Sequence, residues 1–83
     1  MANLTEDILG LVTSVVYPLI DFEDDLEING YEEDDAIIIE IRVNEEDAGK
    51  IIGRQGRVIK SIRTLARAAA SRSNMRVEVE LLD

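Results

Sequence analysis

The sequence has 83 residues, of which 46% are hydrophobic, and it contains no cysteine and no histidine. This length is enough for one domain with a small core, and the composition excludes disulfides, thiolate metal sites and the commonest general base. The net charge of −9 argues against a uniformly basic, nucleic-acid-binding surface.

The charge is divided unevenly along the chain. Residues 1–47 carry 15 acidic side chains and one basic side chain, Arg42, whereas residues 48–76 carry eight basic side chains and no acidic one. Such an asymmetry indicates a local anion-binding face. The alternative is that the basic residues only keep one helix face in water, and charge alone does not decide between the two.

No basic segment followed by an apolar run opens the sequence. The apolar runs are far shorter than the ~20 residues of a membrane helix. We therefore expect a soluble cytoplasmic protein, with a single domain over residues 1–83.

The first predicted element is a helix. Asn3 is a good N-cap, and Glu6 completes a capping box. Pro18 lacks a backbone N–H and should end the helix near Tyr17. The predicted apolar stripe consists of Leu4, Ile8, Leu11 and Val15.

Two strands should follow a charged connector at residues 21–25. The first covers residues 26–28 and extends at most to Tyr31, and a polar EEDD turn leads to the second, residues 36–43. Ile38 breaks the alternation of this strand, so we expect it partly covered on the outer face. The inward residues of the second strand are Ile37, Ile39, Ile41 and Val43.

Two helices should come next, joined at residues 53–56. Asn44 is a good N-cap for the first, which ends at Gly53, and the second starts near Gly56. At 100° per residue the second helix has two faces. The predicted apolar face consists of Val58, Ile59, Ile62, Leu65, Ala66, Ala69 and Ala70. The predicted polar face consists of Arg57, Lys60, Arg63, Thr64, Arg67 and Ser71.

After a loop at residues 71–74, residues 75–81 alternate as a last strand. The first two strands share a short turn and should be antiparallel. About 30 residues separate the second strand from the third, a length that suits a right-handed crossover between parallel strands. The order helix, strand, strand, helix, helix, strand thus predicts an α+β fold, a mixed three-stranded sheet with helices packed on one face.

Gly53 and Gly56 indicate a tight turn between the two helices, because glycine is unfavourable inside a regular element. The backbone amides of residues 54–57 and the positive end of the second helix meet there. Arg54 and Arg57 flank this point and Lys60 lies one turn further on, which favours a site for a phosphate chain. The alternative is a corner that needs glycine only for its geometry, and G-x-x-G alone does not exclude it.

The segment IIGRQGRVIKSI, residues 51–62, resembles the core of the KH domain, whose GXXG loop clamps about four backbone nucleotides of single-stranded RNA. The shared features are the apolar pair before the loop, the basic residue inside it and I-x-x-I after it. The order of elements corresponds to the type II, bacterial arrangement. Residues 49–70 and the segment LVTSVVYPL, residues 11–19, resemble the KhpA family of small stand-alone bacterial KH proteins.

This resemblance implies a cytoplasmic RNA-binding protein, proposed to be an RNA chaperone, with no enzymatic activity, cofactor or metal. It also implies pairing with a second KH protein, KhpB (also called Jag or EloR), or with itself, and a link to cell elongation and cell-wall homeostasis. The expected RNA-binding residues are Lys50, Ile51, Ile52, Gly53, Arg54, Gln55, Gly56, Arg57 and Lys60, with Arg63 and Arg67 as secondary contacts. Ile51, Ile52 and Ile59 are candidates for an apolar floor under the bases, and the alternative, which is favoured for Ile59, is that they belong to the core.

Two alternatives remain open. A module that serves mainly for protein pairing is one of them, because the alanines at residues 66 and 68–70 allow another helix to approach closely. An enzyme is the poorer one, because the carboxylates crowd turns and strand exteriors, and Lys50 precedes the glycine loop instead of closing a P-loop. The acidic stretch at residues 21–35 departs from the family pattern and would weaken RNA binding if it lay near the groove.

Overall fold

The computed structural model describes residues 3–82, and its elements follow the predicted order. Short 3-10 turns at Tyr17–Leu19, Glu23–Asp25 and Arg54–Gly56 interrupt them. The elements are α1 (Leu4–Val16), β1 (Glu27–Glu33), β2 (Ala36–Arg42), α2 (Glu45–Ile52), α3 (Arg57–Ala69) and β3 (Arg76–Leu82).

Both predicted side-chain caps are confirmed. The Asn3 side chain accepts a hydrogen bond from the Thr5 amide at 2.8 Å and so opens α1. The Asn44 side chain accepts from the Glu46 amide at 2.8 Å and opens α2. Helix α1 ends just before the turn that contains Pro18, as expected for a residue that cannot donate a backbone hydrogen bond.

Strand β2 is central in the sheet. It pairs antiparallel with β1 and parallel with β3, which confirms the predicted mixed sheet. Strand β1 is longer than predicted, because its pairing continues until Glu33 lies opposite Ala36. The hairpin turn is thereby reduced to Asp34 and Asp35, and Asp34 has a φ of 56°, a left-handed conformation that aspartate tolerates better than most residues.

The helices cover one face of the sheet. Ile37, Ile39 and Ile41 point toward them from β2 and are fully buried, whereas the other face carries mostly charged side chains. Ile38 lies on that other face with 8% of its surface exposed, so it is more covered than predicted. Helix α1 lies close to β1 at Gly30, where an added Cβ would be 3.4 Å from the Thr5 side chain.

Helices α1 and α3 each bury a somewhat different face than the sequence predicted. In α1, Ile8 is buried as predicted, but the stripe continues through Val12 and Val16, while Leu11 and Val15 are half-buried. Two apolar stripes overlap in this helix, and only packing against the sheet distinguishes them.

In α3, the prediction that Leu65 and Ala69 point inward is wrong. Leu65 is 47% exposed and Ala69 is exposed, whereas Ile59, Ile62 and Ala66 are buried. At about 100° per residue, both misplaced residues lie on one side of the predicted apolar arc, and the buried residues lie on its other side. Within residues 3–82, no helix is long and apolar enough to cross a membrane.

Candidate nucleic-acid interface

The loop of residues 53–56 joins α2 to α3 through a backbone that requires glycine. Gly53 has a φ of 76° and a ψ of 174°, and Gly56 has a φ of 76° and a ψ of 15°. A Cβ at Gly53 would lie 2.4 Å from Val58 Cγ2 and 2.9 Å from the Val58 amide nitrogen, whereas at Gly56 the nearest atom would be Lys60 Cε at 3.8 Å. Gly53 is therefore required by conformation and by space, and Gly56 by conformation alone.

Hydrogen bonds inside the turn engage part of its backbone. The Gly53 amide donates to Gly49 O at 2.8 Å, the Gly56 amide to Gly53 O at 3.1 Å, and the Arg57 amide to Arg54 O. Two of the four amides that the sequence offered to a phosphate chain are thus already bonded. The turn's own bonds leave the amides of Arg54 and Gln55 unused.

Exposed cations lie at this turn and along α3. The side chains of Arg54, Arg57, Lys60 and Arg67 are all exposed, and within residues 3–82 none of them forms an ion pair. Arg57 Nη2 donates to Gln55 Oε1 at 3.1 Å, which draws the guanidinium toward the tip of the loop. Unpaired positive charges at the surface attract a polyanion.

Asp47 was predicted only as a favourable charge at the start of α2, but its side chain is fully buried. It accepts hydrogen bonds from the amides of Asp21 and Phe22, at 3.0 and 2.9 Å, and from Lys50 Nζ at 3.1 Å. Burial by itself raises the pKa of this carboxyl, but the two amides and Lys50 together outweigh it and hold the pKa below its ordinary value. Asp47 therefore fastens the acidic connector to α2.

Lys50 differs from the other cations because two carboxylates hold its ammonium. It forms ion pairs with Asp21 and with Asp47, and these hydrogen bonds, that of Asp21 first, raise the pKa of Lys50 above its ordinary value. The acidic connector thus contacts a residue one turn before the glycine loop. The negative charge of Asp21 in this connector is therefore balanced within the fold by Lys50.

Of the three isoleucines predicted as an apolar floor, Ile52 alone is open to solvent. Ile51 is fully buried and Ile59 is 7% exposed, so both belong to the core. Ile52 is 43% exposed and lines a cavity of about 330 Å³ beside the glycine loop. The other lining residues, which the sequence prediction missed, are Val43, Glu45, Ala48, Leu81 and Leu82. No sequence signal relates the ends of two strands to α2, because only the fold brings them together.

A second cavity of about 430 Å³ lies at the other end of β3, where α3 and the loop of residues 71–74 meet the start of the strand. Arg67, Ser73 and Met75 are among its lining residues. Arg63 is half-buried, and its Nε donates to Val79 O of β3 at 3.1 Å. The structure thus brings together Arg54, Arg57 and Lys60 at the loop, with Arg63 and Arg67 further along α3.

Known proteins with similar sequences cover almost the whole chain. A family model described as KhpA/KhpB, KH domain, matches residues 10–81. RNA-binding protein KhpA of Borreliella burgdorferi is 45% identical over 90% of this chain and 92% of its own length. The proteins of the same name from Clostridium perfringens and Bacillus subtilis are 42% and 40% identical, over 87% and 88% of this chain and 96% and 90% of their own lengths.

The fold also occurs inside a larger protein of known structure. The crystal structure of Aquifex aeolicus Era bound to GDP·AlF4⁻ superposes with a TM-score of 0.63 and 22% sequence identity. The match covers 98% of this chain and 31% of that one, so this chain spans about a third of it. At this identity the likeness concerns the fold alone, and it includes every helix and strand that carries the loop and the two cavities.

Proposed function

Because this chain belongs to the KhpA/KhpB KH-domain family, we propose that it binds single-stranded RNA and holds the phosphate backbone at the loop of residues 53–56. The observation that carries this proposal is the double-glycine turn beside the exposed cations Arg54, Arg57 and Lys60, which form no ion pair with any residue from 3 to 82. A GXXG loop is the element with which KH domains clamp about four nucleotides. The names of the relatives state RNA binding for those proteins and support the same function here.

In this proposal the phosphates lie on the solvent side of the loop of residues 53–56. They accept hydrogen bonds from the amides of Arg54 and Gln55 and pair with the side chains of Arg54, Arg57 and Lys60. Bases turn inward toward the cavity beside Ile52. The sequence has three aromatic residues, Tyr17, Phe22 and Tyr31, and none belongs to α2 or α3, so stacking on an aromatic platform is not the mode of binding.

The remaining predicted site residues have supporting roles. Gly53 and Gly56 give the loop its shape, and Ile51 anchors the end of α2 in the core. Lys50 contributes to binding to the extent that its ammonium leaves Asp21. Arg63 and Arg67 extend the contact along α3.

A salt titration tests this proposal. A short single-stranded oligouridylate should bind with a slope of log K against log salt of about −2 to −3, since three to four phosphate contacts contribute about −0.7 each. A perfect RNA duplex of the same length should bind more weakly, because its bases are paired and stacked and cannot turn toward the protein. A flat salt dependence, or a preference for the duplex, contradicts the proposal.

A second candidate function, compatible with the first, is pairing through α3. Leu65 is 47% exposed and the small side chains of Ala68 and Ala69 are exposed beside it on the helix, a surface that lets a second helix come close. The proposed partner is a second KH protein (KhpB, Jag or EloR) or another copy of this chain. As part of the same proposal, the protein acts as an RNA chaperone in the cytoplasm, in cell elongation and cell-wall homeostasis.

Pairing and RNA binding are separated by one variant. Leu65→Lys should abolish self-association in sedimentation velocity while leaving the RNA titration of the protein alone unchanged. A protein that functions only in pairing shows no salt-dependent RNA binding, with or without this substitution. Self-association of the parent that persists in Leu65→Lys contradicts pairing of two copies through this surface.

A further inference from the structure

We propose that Arg63 reads a base in the groove between α3 and the edge strand β3, midway between the two cavities. It selects a base that presents two adjacent hydrogen-bond acceptors, guanine or cytosine. This inference rests on the proposed RNA binding and assigns one residue of that site a role different from phosphate contact.

The first observation is that the Arg63 side chain is bonded to the backbone of the sheet. Arg57, Lys60 and Arg67 are exposed, whereas Arg63 is half-buried. Its Nε donates to Val79 O at 3.1 Å, and Val79 belongs to β3, an edge strand of the sheet. The guanidinium is therefore held against the backbone at the edge of the sheet.

The second observation is the place of this bond between two cavities. The larger cavity is lined by residues 75–78 of the chain, and the smaller one by Leu81 and Leu82. Val79 lies between these two groups along β3. A nucleic acid strand that follows β3 from the glycine loop to the loop of residues 71–74 must therefore pass the Arg63 guanidinium.

The third observation concerns the donors that Arg63 has left. A guanidinium carries five N–H donors in a planar fork, and Nε accounts for one of them. Within residues 3–82 no carboxylate pairs with Arg63, so both Nη groups are open to a ligand. With Nε bonded to the backbone of β3, the two Nη groups present parallel donors to a group that enters beside this strand.

The chemistry of the fork selects the base. Guanine offers O6 and N7 as adjacent acceptors, the edge to which arginine binds most often, and cytosine offers O2 and N3 in the same way. Adenine places an amino donor beside N7, and uracil places its N3–H between two acceptors. Guanine and cytosine therefore share the pattern that Arg63 fits, and separate oligonucleotides distinguish them.

The experiment measures binding of the full chain to oligouridylates in which one central position is uracil, adenine, guanine or cytosine. The parent should prefer the guanine or the cytosine oligonucleotide over the other two by about 5- to 100-fold, the range of one bidentate base contact. Arg63→Lys keeps the charge but loses the fork, so it should remove this preference without changing the salt slope. Arg67→Lys makes the same chemical change at an exposed position of α3 and should keep the preference.

Each other outcome overturns the inference. If Arg63→Lys weakens all four oligonucleotides equally, or if Arg63→Gln makes the salt slope shallower, Arg63 contacts phosphate. If the parent shows no preference, or Arg63→Lys retains it, Arg63 does not read the base. A melting curve tests whether each variant is folded. If the lysine variant is not folded, Arg63→Gln replaces it, because its amide can still donate to Val79 O. A parent that binds none of the oligonucleotides refutes the proposed function itself, and the two failures are thus distinguishable.

Discussion

The two glycines of the loop should differ sharply when each is replaced by alanine. At Gly53, the backbone lies in a region essentially restricted to glycine, which costs an alanine about 1–3 kcal/mol. Its Cβ would also overlap Val58, at 2.4 Å from a side-chain carbon and 2.9 Å from the backbone nitrogen. Relieving such an overlap costs about 1–3 kcal/mol more. Gly53→Ala should therefore lower the free energy of unfolding by about 2–6 kcal/mol, out of roughly 4–12 kcal/mol for a domain of this size.

Gly56→Ala is the matched control, because the residue has the same φ but open space around it. The left-handed conformation costs about 1–2 kcal/mol, partly offset by the reduced entropy of the unfolded chain. Since 1 kcal/mol changes the melting temperature of such a domain by about 4–8 °C, Gly53→Ala should melt at least about 8 °C below the parent, and Gly56→Ala should melt closer to the parent than that. Calorimetry or circular dichroism measures both variants. Equal melting temperatures for the two refute the reasoning from the Val58 overlap.

Two further predictions concern the acidic connector. Because its pKa is held below the ordinary value, Asp47 stabilises the fold above about pH 4 and loses this contribution as the pH falls through its folded-state pKa. Asp47→Asn should therefore have a lower melting temperature than the parent at pH 7, and its melting temperature should fall less in acid. Parallel profiles of melting temperature against pH for the two proteins contradict this. Asp21→Asn leaves Lys50 paired with Asp47 alone and should tighten RNA binding by about 2- to 5-fold, the magnitude of an exposed ion pair. Asp24→Asn removes the same charge without contacting Lys50 and should change the affinity less. Equal effects of the two substitutions indicate a general effect of charge.

The order of elements and the sheet topology were predictable because they depend on local signals. The cap at Asn3, the helix end before Pro18 and the alternation in β2 each act within a few residues, and the structure confirms them. The parallel pairing of β2 with β3 followed from the length of the crossover between them.

The faces of the helices were less predictable, because neighbouring apolar stripes compete and packing chooses between them. Leu65 shows this, since it lies in the apolar arc of α3 but beyond the reach of the core. Asp47 shows a different limit: an acidic residue in the first turn of a helix is ordinarily exposed, and its burial depends on amides of Asp21 and Phe22 that lie some 25 positions away in the chain. Contacts of this kind carry no local signal.

The candidate site was likewise predictable only where its residues lie close together in the sequence. The double-glycine turn and its cations stand in one short segment and could be identified from it. The cavity beside Ile52 combines residues of α2, β3 and the end of β2, and the bond between Arg63 and Val79 joins α3 to β3. Both depend on the assembled fold, so the sequence could assign Arg63 only to the basic face of a helix and to the secondary RNA contacts.

The central claim, that the glycine loop holds RNA, is tested most directly by the double variant Arg54→Asp/Gln55→Asp. Both side chains are exposed at the tip of the turn, and aspartate tolerates the left-handed φ of 57° at Gln55, so the variant should melt within a few degrees of the parent. Arg72→Asp/Asn74→Asp makes the same change in charge in the exposed loop before β3, at the far end of β3 from the glycine loop, and should reduce RNA binding less than the loop variant does. The account predicts that a titration with single-stranded RNA detects no binding by the loop variant while the control variant still binds. A folded loop variant that binds RNA like the parent contradicts it.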